Sequence, residues 1–153
     1  MSLPVDQYVL RSEKSVALTT PQFSTYLLSV LKKNAQLGPN DAAQIDGDTG
    51  KTLSHQQFLE QTVRTVNGLR ALGLLPGDAV SMFTRNQTYT FTTATAMYIA
   101  GLLQHPGYAY LEPELVAEQL RVIKPRVVFT EAFALERVRA AIKVSRLKLK
   151  SSM

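Results

Sequence analysis

Apolar positions along this chain switch between a helical spacing and short runs that suit strands. Phe23, Tyr26, Leu27, Val30 and Leu31 recur every three or four residues and predict one apolar helix face. Thr20-Pro21 supplies an entry, with threonine as cap and proline at the first helical position, where its missing N–H costs nothing. Lys32-Lys33 suit the C-terminal end of such a helix, and Gly38-Pro39-Asn40-Asp41 closes it off. Two apolar patches, Ala42–Ile45 and Thr52–Leu53, then flank the polar turn Gly47–Gly50, which reads as a hairpin. Ser54 and Gln57 form a Ser-x-x-Gln capping box opening a second helix. Its stripe is Phe58, Val63, Val66, Leu69 and Leu72, and Gly73 can turn left-handed to end it. Pro76-Gly77-Asp78 is a turn leading into a strand at Ala79–Thr84.

Further along, Arg85-Asn86-Gln87 reads as a loop or cap before a threonine-rich helix over Thr88–Leu103. Ala94, Ala96, Ala100 and Gly101 would let that helix lie close to a sheet, while Tyr89, Phe91, Met97 and Ile99 supply bulk. The stretch from Leu102 to Tyr110, broken by Pro106-Gly107, predicts a short strand or loop. Pro113 starts a helix through Ile123, with Leu115, Val116, Leu120 and Ile123 inward, and Pro125 stops it. Val127-Val128-Phe129 is a compact apolar run fit for a buried parallel strand. A last helix spans Ala132 to about Lys143, with Phe133, Val138 and Ile142 apolar, and Leu147-Lys148-Leu149-Lys150 alternates like a strand beginning. Residues 1–20 are irregular apart from a strand-like patch at Tyr8-Val9-Leu10, and residues 21–153 form one domain. A hairpin followed by alternating strands and helices predicts an α/β fold with a largely parallel sheet.

Composition narrows the functional classes. A chain of 153 residues with 45% apolar and 19% charged residues is an ordinary globular domain, able to bury ~68–70% of its unfolded surface. The absence of cysteine removes disulfides, thiolate nucleophiles and cysteine metal sites. Met1–Leu10 lacks the apolar core of a signal peptide, and no stretch is long and apolar enough for a spanning helix, so a cytoplasmic location is the expectation. The formal charge of +5 is concentrated at one end: Arg121–Lys150 holds nine basic residues and two acids. With no aromatic residue interleaved among the basic residues of that tail, nucleic-acid binding is not expected. A membrane-surface role for 132–150 is a weaker reading.

The groups that could carry chemistry have structural explanations. Thr49-Gly50-Lys51-Thr52 resembles the end of a Walker A loop, but the required first glycine falls at Ile45 and the segment reads as a hairpin turn. His55, in a first helical turn, and His105, in a loop, have no partner at metal spacing. Asp46 with Asp48 suits turn chemistry, and Glu112 with Glu114 suits a helix N-terminus. Accordingly no catalytic, cofactor-binding or metal-binding residue is assigned.

Motif order adds a family. Asp46-Gly47-x-Thr49-Gly50, Thr52-Leu53-Ser54, Gly68-Leu69-Arg70-Ala71-Leu72-Gly73, Pro76-Gly77-Asp78-x-Val80 and Asn86 together resemble the opening of the adenylate-forming enzymes. These are the acyl- and aryl-CoA ligases, beetle luciferases and peptide-synthetase adenylation domains. Met97–Gly101, Pro106, Glu118-Gln119-Leu120 and Pro125–Thr130 extend the likeness over about residues 20–145. The likeness is to insect luciferase-like or 4-coumarate-CoA ligase-like enzymes, with the stretch from Gly101 to Phe129 keeping the insect luciferase-like pattern. One departure is that relatives carry an asparagine near Pro106 where this chain has Gly107-Tyr108.

The resemblance implies a reaction as well as a fold. In the full-length family a carboxylate attacks the α-phosphate of ATP, with Mg2+ present, and a thiol, usually of CoA, then displaces AMP, as in fatty acid metabolism. The family's Ser/Thr/Gly-rich phosphate loop, adenine-binding segment and mobile small domain have no counterpart here. Residues 21–153 therefore resemble a partial N-terminal AMP-binding domain, a truncated product expected to be inactive alone. No cofactor is expected for this chain by itself. Uncovered strand edges would favour self-association or a full-length relative as partner. A peroxisomal location stays open for a full-length form, since the terminal Lys150-Ser151-Ser152-Met153 is not a Ser-Lys-Leu signal.

Overall fold

The computed structural model describes residues 22–147. The Tyr8–Leu10 patch, the Thr20-Pro21 entry and all but the first residue of the 147–150 segment lie outside them. Helix α1 (Phe23–Leu37) has Gln22 at its N-cap and ends where the Gly38 N–H donates to Asn34 O. It runs beyond Lys32-Lys33, which lie mid-helix and not in its last turn, because nothing between Asn34 and Leu37 breaks the ladder before Gly38. The face through Leu27, Val30 and Leu31 is half-buried against its helical neighbours, and the exposed Phe23 meets Tyr98 edge-on at 6.0 Å.

The hairpin forms as its sequence predicts, β1 (Ala42–Ile45) pairing antiparallel with β2 (Thr52–Ser54). Helix α2 (His55–Ala71) follows directly behind a complete capping box: the Gln57 N–H donates to Ser54 Oγ at 3.3 Å and the Ser54 N–H to Gln57 Oε1 at 3.0 Å. Gly73 ends the unit at φ 71°. The buried stripe of α2 is Phe58, Thr62, Val66 and Leu69, and Val63 and Leu72 are exposed. Five residues beyond Phe58 is ~140° around the axis, so Val63 turns to solvent and Thr62 takes its expected place. The Thr62 hydroxyl is fully buried and has no hydrogen-bond partner among the described residues.

A three-stranded parallel sheet lies at the centre, in the order β4 (Leu103–Gly107), β3 (Ala79–Phe83), β5 (Val127–Thr130). Alternate side chains of β3 divide between two cores, as a period of two requires. Val80 and Met82 join Val66 and Leu69 of α2, Leu74, Leu102, and Ala96 and Met97 of α3 (Thr88–Ile99). Phe83 points the other way, into Ala109, Val116, Ala117 and Leu120 of α4 (Pro113–Ile123), Ala134, and Val138 and Ala141 of α5 (Leu135–Ser145). Helices cover both faces of the sheet, an α/β arrangement in three layers.

The N-terminal ends of the strands are fastened through one turn. Asp78 O accepts from the Leu103 N–H at 2.9 Å, and the Asp78 carboxylate meets Arg126 at 3.3 Å. Gly77 N–H donates to Gly101 O at 2.8 Å.

Several boundaries differ from the sequence expectation for identifiable reasons. Helix α3 stops at Ile99, not Leu103, because Gly101 adopts φ 73° and redirects the chain into β4. The Leu102–Tyr110 stretch thus contains a strand, Leu103–Gly107, at the edge of the sheet among the described residues, and Pro106 is tolerated there because an edge leaves one N–H unused. His105 consequently lies in β4, not in a loop. In α4, Leu115 is exposed and Ala117 packs inward instead. Strand β5 is half-buried, being an edge strand without a further neighbour among the described residues. The last helix opens with a 3-10 turn at Ala132–Ala134, leaving Phe133 exposed.

Buried threonine is why α3 holds together despite its composition. Thr92 Oγ1 donates to Tyr89 O at 3.0 Å and Thr95 Oγ1 to Phe91 O at 2.8 Å, so neither hydroxyl is stranded. Thr62 lacks this relief, and Thr62→Val, which keeps the shape, is expected to stabilise the chain by about 1 kcal/mol in urea unfolding. At Gly107 the opposite holds: a Cβ there would meet the Phe83 ring, with Cζ 2.8 Å away. Gly107→Ala is expected to cost about 1–3 kcal/mol in the same measurement.

Candidate functional site

In open α/β sheets, ligand crevices form outside the carboxyl ends of strands where successive connections leave toward opposite faces. Here that point lies between β3 and β5, since β3 leads to α3 on one face and β5 leads to α5 on the other. The residues just past these strands meet across it. Arg85 donates its backbone N–H to Glu131 Oε1, and its Nε and Nη2 donate to Glu131 Oε2 at 3.0 and 2.7 Å. Thr130 Oγ1 donates to Phe83 O at 3.2 Å just below.

Aromatic side chains rim this contact. The Arg85 guanidinium lies 4.8 Å from the centre of the Phe133 ring, Phe133 meets Tyr110 at 5.3 Å, and Tyr110 meets Tyr108 at 5.4 Å. Tyr89, Tyr108, Tyr110 and Phe133 are all exposed. Electrostatically the contact is tight: the Arg85 hydrogen bonds hold the Glu131 carboxyl below its ordinary range, and Glu131 in turn raises Arg85. Burial raises the Tyr89 phenol, and the neighbouring Glu131 charge raises it further.

None of these residues stood out in the sequence as functional. The available signal was positional, since Arg85 and Glu131 follow closely on the carboxyl ends of predicted strands and Tyr108 lies near the end of the stretch predicted as a strand or loop, where ligand sites gather.

A second concavity, a cleft of about 430 Å³, lies between the hairpin turn and the start of α3. Asp46, Asp48, Gln44, Asn86, Gln87 and Phe91 are among its lining residues. The Walker-like Thr49–Thr52 segment forms part of this hairpin turn, and the backbone N–H groups of Thr49, Gly50 and Lys51 are already committed. Asp46 Oδ1 accepts from the Asp48 and Thr49 N–H groups at 3.1 and 2.8 Å and from Thr49 Oγ1 at 2.8 Å. Gly50 N–H donates to Asp46 O and Lys51 N–H to Thr49 Oγ1. The Thr49 contacts, backbone first, hold the Asp46 carboxyl below its usual range. A carboxylate occupies the position where a phosphate would need those donors, so the segment does not fit a triphosphate.

The other expected residues stay apart. His55 is the first residue of α2. Glu112 is the N-cap of α4 with Glu114 in its first turn, consistent with a dipole role. His105 shares a 3.0 Å hydrogen bond between its Nδ1 and the fully buried Ser81 Oγ, and Phe83 packs against its ring at 6.0 Å. Among the described residues no three His, Asp or Glu side chains gather as a metal site. No described helix is long and apolar enough to cross a membrane.

The family profile described as AMP-binding enzyme matches residues 31–152. The chain belongs to the AMP-binding enzyme family. Over 98 residues it is 33% identical to 4-coumarate–CoA ligase 3 of Oryza sativa subsp. japonica, covering 62% of this chain and 17% of that enzyme. Among solved structures, the luciferase-like enzyme of the mealworm Zophobas morio superposes with a TM-score of 0.76 at 21% identity, over 85% of this chain and 30% of that one. A benzoate CoA ligase from Burkholderia xenovorans LB400 gives 0.69 at 21% identity, over 80% and 24%. This AMP-binding family member thus has the fold of the N-terminal portion of the adenylate-forming enzymes. It spans less than a third of the length of each of these relatives.

Three groups with lowered values shape the expected acid behaviour of the described residues: His105, Glu131 and the turn carboxylate Asp46. Burial lowers His105, so its contribution is present above about pH 6.5 and is lost as pH falls through its depressed folded value. Glu131 is also lowered, so its contribution is present above about pH 4.5 and is lost as pH falls through its own folded value. Urea unfolding against pH is expected to show stability beginning to fall below about pH 6.5 and falling further below about pH 4.5. His105→Gln should weaken the first fall and Glu131→Gln should reduce the second, leaving the share that belongs to Asp46.

Proposed function

We propose that this chain supplies the N-terminal scaffold of an AMP-forming acyl- or aryl-CoA ligase and does not activate a carboxylic acid by itself. The observation that carries this reading is the hairpin turn. It is the one phosphate-loop-like sequence in the chain, and Asp46 and Thr49 take up the backbone donors that would cradle a phosphate. The match over residues 31–152 and the relatives' greater length support it. On this reading ATP, Mg2+ and CoA would be held by chain beyond the portion seen here. What these residues contribute is a sheet with both faces packed and the approach to its carboxyl ends.

A second reading is favoured by the open side of the sheet. Beyond β5 no strand pairs among the described residues, and Phe129 lines an apolar groove of about 350 Å³ with Leu69, Leu72, Gly68 and Thr65 of the α2 region. Such a face suits a non-catalytic module that associates with a full-length relative. Size-exclusion chromatography with and without that relative separates the readings; persistent monomer in both runs removes the second.

The first reading is tested by ATP–pyrophosphate exchange with the purified chain and a panel of palmitate, 4-coumarate and benzoate. No exchange above the buffer rate is expected with any acid. Turnover with any one of them, abolished on removing ATP, would overturn the proposal.

A further inference from the structure

We propose that the Arg85 side chain and backbone N–H form a binding site for an oxyanion carried on a planar aromatic ring, and that Glu131 is its built-in occupant. Three donors from one residue converge on the Glu131 carboxylate: the backbone N–H, Nε and Nη2. A planar guanidinium with an adjoining backbone N–H is the arrangement that grips carboxylates and phosphates. The carboxylate it holds arrives from 46 residues away, on the far side of the switch point. Glu131 is 13% exposed while the Arg85 side chain is 50% exposed, so the donor stays reachable from solvent when its partner is in place.

The surroundings define the ligand's body. The Tyr108, Tyr110 and Phe133 rings form a continuous tilted series ending under the Arg85 guanidinium, and all three are exposed. An apolar rim with a cationic end fits a flat ring bearing an anionic group. Tyr89 adds a hydroxyl near the same carboxylate. A ligand of this kind would displace Glu131 and take over its hydrogen bonds. No bond is made or broken, and the site stands whether or not the chain takes part in acid activation.

The experiment is titration of the full 153-residue chain with benzoate, phenyl phosphate, acetate and inorganic phosphate, followed by NMR at fixed pH and ionic strength. Because Glu131 occupies the cradle, wild-type binding is expected to be weak, and Glu131→Ala should bind benzoate about tenfold or more tightly. Glu131→Gln, which preserves side-chain volume, should shift affinity in the same direction and serves if the alanine variant fails to fold. Benzoate should exceed acetate, and phenyl phosphate should exceed phosphate. Comparing benzoate with phenyl phosphate then shows which oxyanion the cradle prefers. Adding Arg85→Gln to either Glu131 variant should return binding to the wild-type level or below. Affinity unchanged by both Glu131 substitutions, or undiminished by Arg85→Gln, would overturn the site. Equal binding of acetate and benzoate would overturn the part assigned to the aromatic rim.

Discussion

The Phe83 ring rests on the bare backbone of Gly107, fully out of water, with Ala109, Val116 and Leu120 closing around it. That contact ties the central strand to its neighbour and to the helical layer behind it. Removing such a ring from water is worth about 1.5–3 kcal/mol, but its position matters as much as its size. Phe83 pairs in register with both Gly107 and Thr130, so it sets the level at which all three strands end. The loops that carry Arg85, Tyr108 and Glu131 all leave from that level. If β3 slipped by one residue, its side chains would exchange faces and both cores would be lost together.

Much of this was visible in the pattern of residues, because local rules and tertiary packing agree over most of the chain. Ser54 and Gln57 specify a helix start without reference to anything distant, and Pro113 and Pro125 bracket α4 in the same way. Errors arose where the third dimension chose between locally equal options. At Thr62 and Val63 apolar character pointed to the valine, while helical spacing from Phe58 places the threonine on the buried side. Composition gave Leu115 the stronger claim to the core, yet close packing of α4 on α5 took the small Ala117. Pro106 argued against a strand, and only its place at an edge removed the objection.

The site was less legible than the fold. Arg85 and Glu131 are ordinary surface residues in sequence and acquire meaning only when parallel pairing brings two distant strand ends together. Thr49–Thr52 was legible by contrast: despite Walker-like residues it reads as a hairpin turn, and the observed turn is held by its own aspartate. Resemblance to a family located the fold correctly, because the motif order follows the strands and helices themselves.

Pro106 has one more effect. The outer margin of β4 has lost a donor, whereas Val127-Val128-Phe129-Thr130 of β5 is free of proline and charge. Among the described residues the two flanks of the sheet are therefore unequal as templates: one is blunted, and the other offers an uninterrupted ladder beside apolar surface. Extension of the sheet, by whatever polypeptide, has a built-in direction.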